Sequence, residues 1–288
     1  MREIIEFRVS EEDAQRYLKP EDGEVIGQFG GVRKLLLDSN DIRVARVGKI
    51  HRERWARGSL FVTSWDIRRK YTNKELEAAE LFQLCIRSAF EPDGELCGTQ
   101  YDDTVGCPHC GFGARQLNEL RLDPGTVPRG KDIAKTIAHS EIIVSARVVE
   151  AFRAHGLTGA RFLPVQRKGG QGVIASWYQL EVTSRPIGVA PPTRFGINLF
   201  DADEAGGYRC PLGHVLGLNL LSELSVMRED WDGADLCVTK QWTGMRSRNG
   251  GVFRPHPLLL ISPRLRKLLS ELKAKGFELE VAHLVGPS

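Results

Sequence analysis

With 288 residues, 41% hydrophobic and 27% charged, the chain has the make-up of a soluble globular protein, large enough for one big domain or two smaller ones. Its 40 basic and 37 acidic residues leave a net charge of +3, too small an excess to point to a nucleic-acid footprint. No apolar run approaches the roughly 18–20 residues that span a bilayer, and Met1–Val9 alternates charged and apolar side chains unlike a signal peptide, so a cytoplasmic protein without membrane contact is expected.

Residues 3–9 place Ile5, Phe7 and Val9 on one side, the period of a half-buried strand. Ser10, followed by acidic residues, predicts a capped short helix to about Leu18. Further strands are expected at Leu35–Leu37, Ile42–Val47 and Leu60–Val62. Thr72-Asn-Lys-Glu75 is a capping box, in which hydroxyl and carboxylate each satisfy an orphan N–H. Leu76, Ala79, Leu81 and Phe82 then give an apolar side to a helix running to about Ile86. Pro92-Asp-Gly94 breaks the pattern and predicts a boundary between an N-terminal α+β region, 1–91, and a second domain, 92–288. Leu117, Leu120 and Leu122 mark an extended piece ended by Asp123-Pro-Gly125. The glycine-rich, basic stretch 166–173 reads as a loop, 176–183 as a strand, and 185–207, rich in proline and glycine, as a long connection. Arg246, Arg248 and Arg254 around Asn249-Gly-Gly251 read as a solvated loop.

One segment recurs. Ile142-Ile-Val-Ser145-Ala-Arg147-Val148, with Gly159 and Phe162, matches Leu259-Leu-Ile-Ser262-Pro-Arg264-Leu265, with Gly276 and Leu279, at a constant offset of 117 residues. Each copy predicts a strand, a Ser N-cap, an amphipathic helix, a helix-ending Gly and a second strand. Pro263 suits a first helical position, where its missing N–H costs nothing. The expected fold is α+β: a mixed sheet with packed helices, a duplicated strand–helix–strand unit and a zinc-ribbon-like insertion.

Six cysteines in a reducing compartment are thiols or metal ligands. Cys85 and Cys237 lie in apolar runs and read as buried thiols. Cys107-Pro-His-Cys110-Gly is a knuckle whose two sulfurs can point the same way, and Cys210-Pro-Leu-Gly-His214 offers a second pair of donors. Cys97 lies ten residues before the first knuckle. Two sets of four are open: Cys97, Cys107, Cys110 and Cys210, or Cys107, Cys110, Cys210 and His214. Either would hold one structural zinc ion, because four protein donors leave no position for water. His109 is expected to point outward. Gly-Phe-Gly-Ala-Arg after Cys110 is a poor helix start, which argues against thiol redox chemistry. Serine-hydrolase, P-loop and HExxH signatures are absent, and Asp102-Asp103 reads as a solvated turn, so no enzyme is expected.

Over residues 95–288 this layout resembles the double-CxxCG proteins of myxobacteria, described as immunity proteins of the Sit toxin–immunity systems. The resemblance rests on the CxxCG knuckle at Cys107–Gly111, the two strand–Ser–helix–Gly–strand units and the second knuckle. The family's second CxxCG would fall at Cys210-Pro-Leu-Gly213-His214, where the second cysteine is missing and His214 or Cys97 would have to replace it. Residues before about 90 are additional to the family layout. The resemblance implies a non-enzymatic cytoplasmic protein that binds and neutralises a cognate protein toxin. The competing expectation is a zinc-ribbon nucleic-acid-binding or regulatory protein, motivated by Arg115, Arg121 and Arg209 near the knuckles. A metalloenzyme, third, would need an open coordination position.

Overall fold

β1 (Arg2–Ser10) buries Ile5, Phe7 and Val9, the alternation that the sequence shows. The computed structural model describes residues 1–27, 31–170, 172–245 and 253–287, so Arg246 and Arg248 through Gly251 lie outside the described residues. The chain divides into two units, Met1–Ala78 and Ala79–Ser288.

In the first unit, β1 is followed by α1 (Glu11–Tyr17), β2 (Glu24–Ile26), β3 (Val32–Asp38), α2 (Ile42–Trp55), β4 (Val62–Lys70) and α3 (Asn73–Ala78). The sheet order is β2-β3-β1-β4, with every pairing antiparallel. Ser10 caps α1 by accepting from the Asp13 N–H at 3.1 Å. Residues 42–47, expected as a strand, begin α2 instead. Asp41 caps this helix by accepting from the Arg43 N–H at 2.9 Å, and the buried face is Val47, Gly48 and His51, while Ile42 is 86% exposed. The i, i+4 pair Val47 and His51 sets the true period.

The capping box forms: Glu75 accepts from the Thr72 N–H at 2.8 Å, and the Thr72 hydroxyl accepts from the Glu75 N–H at 3.3 Å. The helix that it starts ends at Ala78, not Ile86. Leu81–Ile86 is strand β5, and its run Leu81-Phe-Gln-Leu84 is wholly buried. A short run of consecutive apolar residues fits a buried strand or helix equally well, and here sheet pairing on both edges decides it. This strand belongs to the second unit, so the division falls after Ala78 and not at 91/92.

The second unit continues with β6 (Ala89–Phe90), β7 (Tyr101–Asp102), β8 (Arg115–Gln116), β9 (Arg121–Leu122), β10 (Ile133–Thr136), β11 (Ile142–Ser145), α4 (Ala146–Ala154), β12 (Ala160–Arg167) and β13 (Val173–Val182). After these come β14 (Phe195–Gly196), β15 (Asn219–Leu220), β16 (Leu224–Met227), β17 (Leu236–Thr243), β18 (His256–Ile261), α5 (Pro263–Glu271) and β19 (Phe277–Val285). One sheet runs β6-β10-β11-β13-β12-β9 and another runs β16-β19-β5-β18-β17; β7–β8 and β14–β15 are short ribbons. Parallel and antiparallel neighbours mix in both large sheets, which makes the architecture α+β.

Each large sheet has its own core. Leu120, Leu122, Ala134, Ile143 and Val165 pack in the first, and Leu81, Ile187, Leu224, Val226, Cys237 and Leu260 in the second. Beside them, two buried carboxylates hold the strand–helix corners. Asp132 accepts from the Ser145 hydroxyl at 2.9 Å, from Arg147 at 2.7 Å and from the Lys275 N–H at 2.9 Å. Asp235 accepts from the Ser262 hydroxyl at 2.6 Å, from Arg264 at 3.2 Å and from the Thr158 N–H at 3.0 Å. Ser145 therefore occupies the N-cap position but spends its hydroxyl on Asp132, whereas Ser262 also accepts from the Leu265 N–H. Gly159 and Gly276, expected to end the helices, instead lead directly into β12 and β19, and the left-handed residues that follow the helices are Gly156 (φ +58°) and Lys273 (φ +49°). The two strand-leading glycines make the closest backbone contacts. A Cβ on Gly159 (φ +93°) would lie 2.1 Å from the Leu236 carbonyl oxygen, and one on Gly276 (φ +111°) 2.0 Å from that of Ile133.

Candidate metal centre

Each knuckle is built by its own backbone. In the first, the Cys107 N–H donates to the Phe112 carbonyl at 2.7 Å and the Gly111 N–H to the Cys107 carbonyl at 2.7 Å. In the second, the Cys210 N–H donates to the Val215 carbonyl and the Gly213 N–H to the Cys210 carbonyl, both at 2.9 Å. Gly111 and Gly213 take φ of +74° and +77°, the left-handed conformation that lets the chain double back.

The two turns meet. Cys107, Cys110, Cys210 and His214 present donor atoms that all lie within 4.8 Å of one another. The Cys107 and Cys210 sulfurs are 3.8 Å apart, and His214 Nδ1 lies 3.7 Å from the Cys210 sulfur and 3.9 Å from that of Cys110. Sulfurs bound at about 2.3 Å to a tetrahedral ion stand about 3.8 Å apart, so this spacing fits a four-coordinate site. The three cysteines are buried and His214 is half-buried.

His214 is held by aromatic packing. Its ring stacks on Phe112 (centroids 4.5 Å apart, planes 12° apart), and Phe112 packs against Trp242. The Trp242 N–H donates to the His214 carbonyl at 2.8 Å, joining the second knuckle to β17. Phe112 and Trp242 were not among the expected site residues; the position of Phe112, two residues after Cys110, was the signal available. Burial opposes ionisation of the Cys107 thiol, yet the backbone N–H groups of Cys110 and His109, with the His214 ring, bring it below its ordinary value. Burial raises Cys110, and the neighbouring Cys210 and Cys107 sulfurs raise it further. Three thiols this close cannot all ionise without a cation among them.

Cys97 is not part of this group. It sits in a 3-10 turn, Glu95–Cys97, 3% exposed, where burial pushes its thiol up and the Asp123 backbone is its neighbour. The choice between Cys97 and His214 therefore falls on His214. Gly213 stands where the second cysteine of a CxxCG would be, and His214, the next residue, reaches the same space. His109 is exposed, and Cys237 is fully buried, its thiol pushed up to about 11 by burial, while Cys85 is half-buried. Asp103 pairs with Arg254, and Asp102 accepts from the Thr104 N–H. Arg115 and Arg209, considered for nucleic acid, stand 3.7 Å from Asp102 and 3.8 Å from Asp203.

A second polar cluster escaped sequence reasoning. Glu141, 7% exposed, accepts from the Gly94 N–H at 2.8 Å, the Tyr101 hydroxyl at 2.5 Å and the Thr136 hydroxyl at 2.9 Å. His139 lies beside it, with Nδ1 at 3.7 Å from Glu141 and 4.0 Å from the fully buried Asp93. These residues come from two strands, β7 and β10, and from the loops after β6 and before β11, so no local motif announces them.

No protein-family model matches the chain, and no curated protein is significantly similar to it. No helix among the described residues is long and apolar enough to cross a membrane.

Proposed function

We propose that this chain is a non-enzymatic binding protein: a cytoplasmic immunity factor that neutralises a cognate protein toxin and whose fold is locked by one structural zinc ion. The observation that carries this reading is the donor set. Three thiolates and an imidazole from two knuckles suit zinc, and four protein donors close the coordination sphere against water. Such an ion stabilises a fold and has no position at which to activate a substrate. The resemblance to the double-CxxCG immunity proteins supplies the partner class.

In the same reading, the second unit is a duplicated scaffold. Strand–Ser–helix–Gly–strand recurs at β11-α4-β12 and β18-α5-β19, and the anchors Asp132 and Asp235 stand 103 residues apart, as do Cys107 and Cys210. One knuckle belongs to each copy, so the ion ties copy to copy.

The test of function is survival. Cells expressing a toxin encoded beside this chain's gene should grow when the chain is co-expressed, and the two proteins should co-purify. Failure to rescue, with the chain present and folded, would refute the immunity reading.

A further inference from the structure

We infer that the second unit is a strand-exchanged pair, in which each half supplies the middle strand of the other half's sheet. The inference rests on the duplication reading and not on the metal. The segment Phe82-Gln-Leu-Cys-Ile-Arg-Ser88 in and after β5 matches Tyr178-Gln-Leu-Glu-Val-Thr-Ser184 in and after β13, at an offset of 96 residues. Gln83, Leu84 and Ile86 pair with Leu260, Leu279 and Phe277. Gln179, Leu180 and Val182 pair with Ile143, Phe162 and Ala160. Those two sets of partners are the same positions of the recurring unit, 117 residues apart. The bond after each strand is also repeated: the Arg87 N–H donates to the Gly276 carbonyl and the Thr183 N–H to the Gly159 carbonyl, both at 2.9 Å.

β5 and β13 are thus equivalent strands in equivalent slots, but each lies in the other half's sheet. β5 opens the half that carries the first knuckle, yet it fills the gap between β18 and β19. β13 opens the half that carries the second knuckle, yet it fills the gap between β11 and β12.

The linker explains the choice. β12 and β13 are separated only by residues 168–172 and pair antiparallel, Gln166 with Val173, as a hairpin. That commits β13 to the sheet of β12 and leaves the middle of the other sheet for β5. Without its inserted strand, each strand–helix–strand unit would expose two rows of unpaired backbone groups along a central gap. Neither half closes alone, and each is the obligatory partner of the other.

The register supplies a discriminating probe. Cys85 stands opposite Glu278 in the exchanged arrangement. In the unexchanged one, β5 would take the slot of β13, and Cys85 would stand opposite Arg161, the partner of Glu181. The full chain is prepared with a protease site inserted after Gly169, as Glu278→Cys and separately as Arg161→Cys, then oxidised, cut and mapped by peptide mass. Exchange predicts a disulfide between positions 85 and 278 that holds the two pieces together in denaturant, and none between 85 and 161. The cut protein without either substitution should elute at full mass after metal chelation, because the two inserted strands still join its pieces. A link between 85 and 161, absence of the 85–278 link, or separation of the native pieces on cutting would each overturn the inference, whatever the metal content proves to be.

Discussion

Cys107 and Cys210 are 103 residues apart in sequence and 3.8 Å apart at their sulfurs. Two turns bring four donors together and bury three thiols that would repel one another as thiolates, so a cation among them would hold the ionised set. Replacing Cys107 with Ser should cost several kcal/mol, because the free energy of binding the ion is free energy of folding. The melting temperature should fall by about 10 °C or more. Cys97→Ser keeps all four donors and should cost only what a small buried change costs, about 1 kcal/mol.

Asp132 and Asp235 each serve a corner at which several donors converge. Asp132→Ala would leave the Lys275 N–H and the Ser145 hydroxyl unpaired beside the Arg147 cation, a loss of about 3 kcal/mol. Asp235→Ala should lose a similar amount through Thr158 and Ser262. Denaturant titration of both single variants checks this, and matched losses are expected from the matched geometry.

Gly159→Ala and Gly276→Ala should each destabilise by about 3 kcal/mol or more. The new Cβ would collide with a carbonyl oxygen of a neighbouring strand, in a left-handed conformation that alanine resists. Gly58, also at positive φ but with nothing within 4 Å of its would-be Cβ, should lose only about 1 kcal/mol on the same change. Thermal melts of the three variants give the ranking.

Burial tends to raise the Glu141 carboxyl, but the nearby His139 ring and hydrogen bonds from Tyr101, the Gly94 N–H and Thr136 together hold it below the ordinary value of 4.5. The His139 nitrogen, at 3.7 Å, acts through proximity and not through a formed hydrogen bond. A carboxyl with a folded pKa below its unfolded one adds stability above the unfolded pKa, and that stability is lost as pH falls through the folded pKa. Unfolding free energy should therefore drop below about pH 4.5. Glu141→Gln should be less stable at pH 7 and should flatten that acid limb.

The residues that were legible in sequence carry their own local chemistry. The Thr72–Glu75 capping box, the alternation in β1 and the knuckle turns depend on near neighbours and appear where expected. Ile42–Val47 misled because apolar residues two apart mimic a strand, while the cap at Asp41 and the Val47–His51 spacing reveal a helix only over a longer window. Leu81–Ile86 misled for a deeper reason. A strand with both faces and both edges covered has no period of its own, and its neighbours β18 and β19 lie about 175–200 residues onward. The fourth donor had the same character: Cys97 and His214 are both residue types that can bind zinc, and only the meeting of the two knuckles separates them.

Metal content of the purified chain tests the central claim most directly. The account predicts one zinc ion per chain that survives purification, is retained by Cys97→Ser and is lost from Cys210→Ser and His214→Ala. A metal-free, stably folded wild-type chain, or a His214→Ala variant that keeps its ion while Cys97→Ser loses it, would contradict the account.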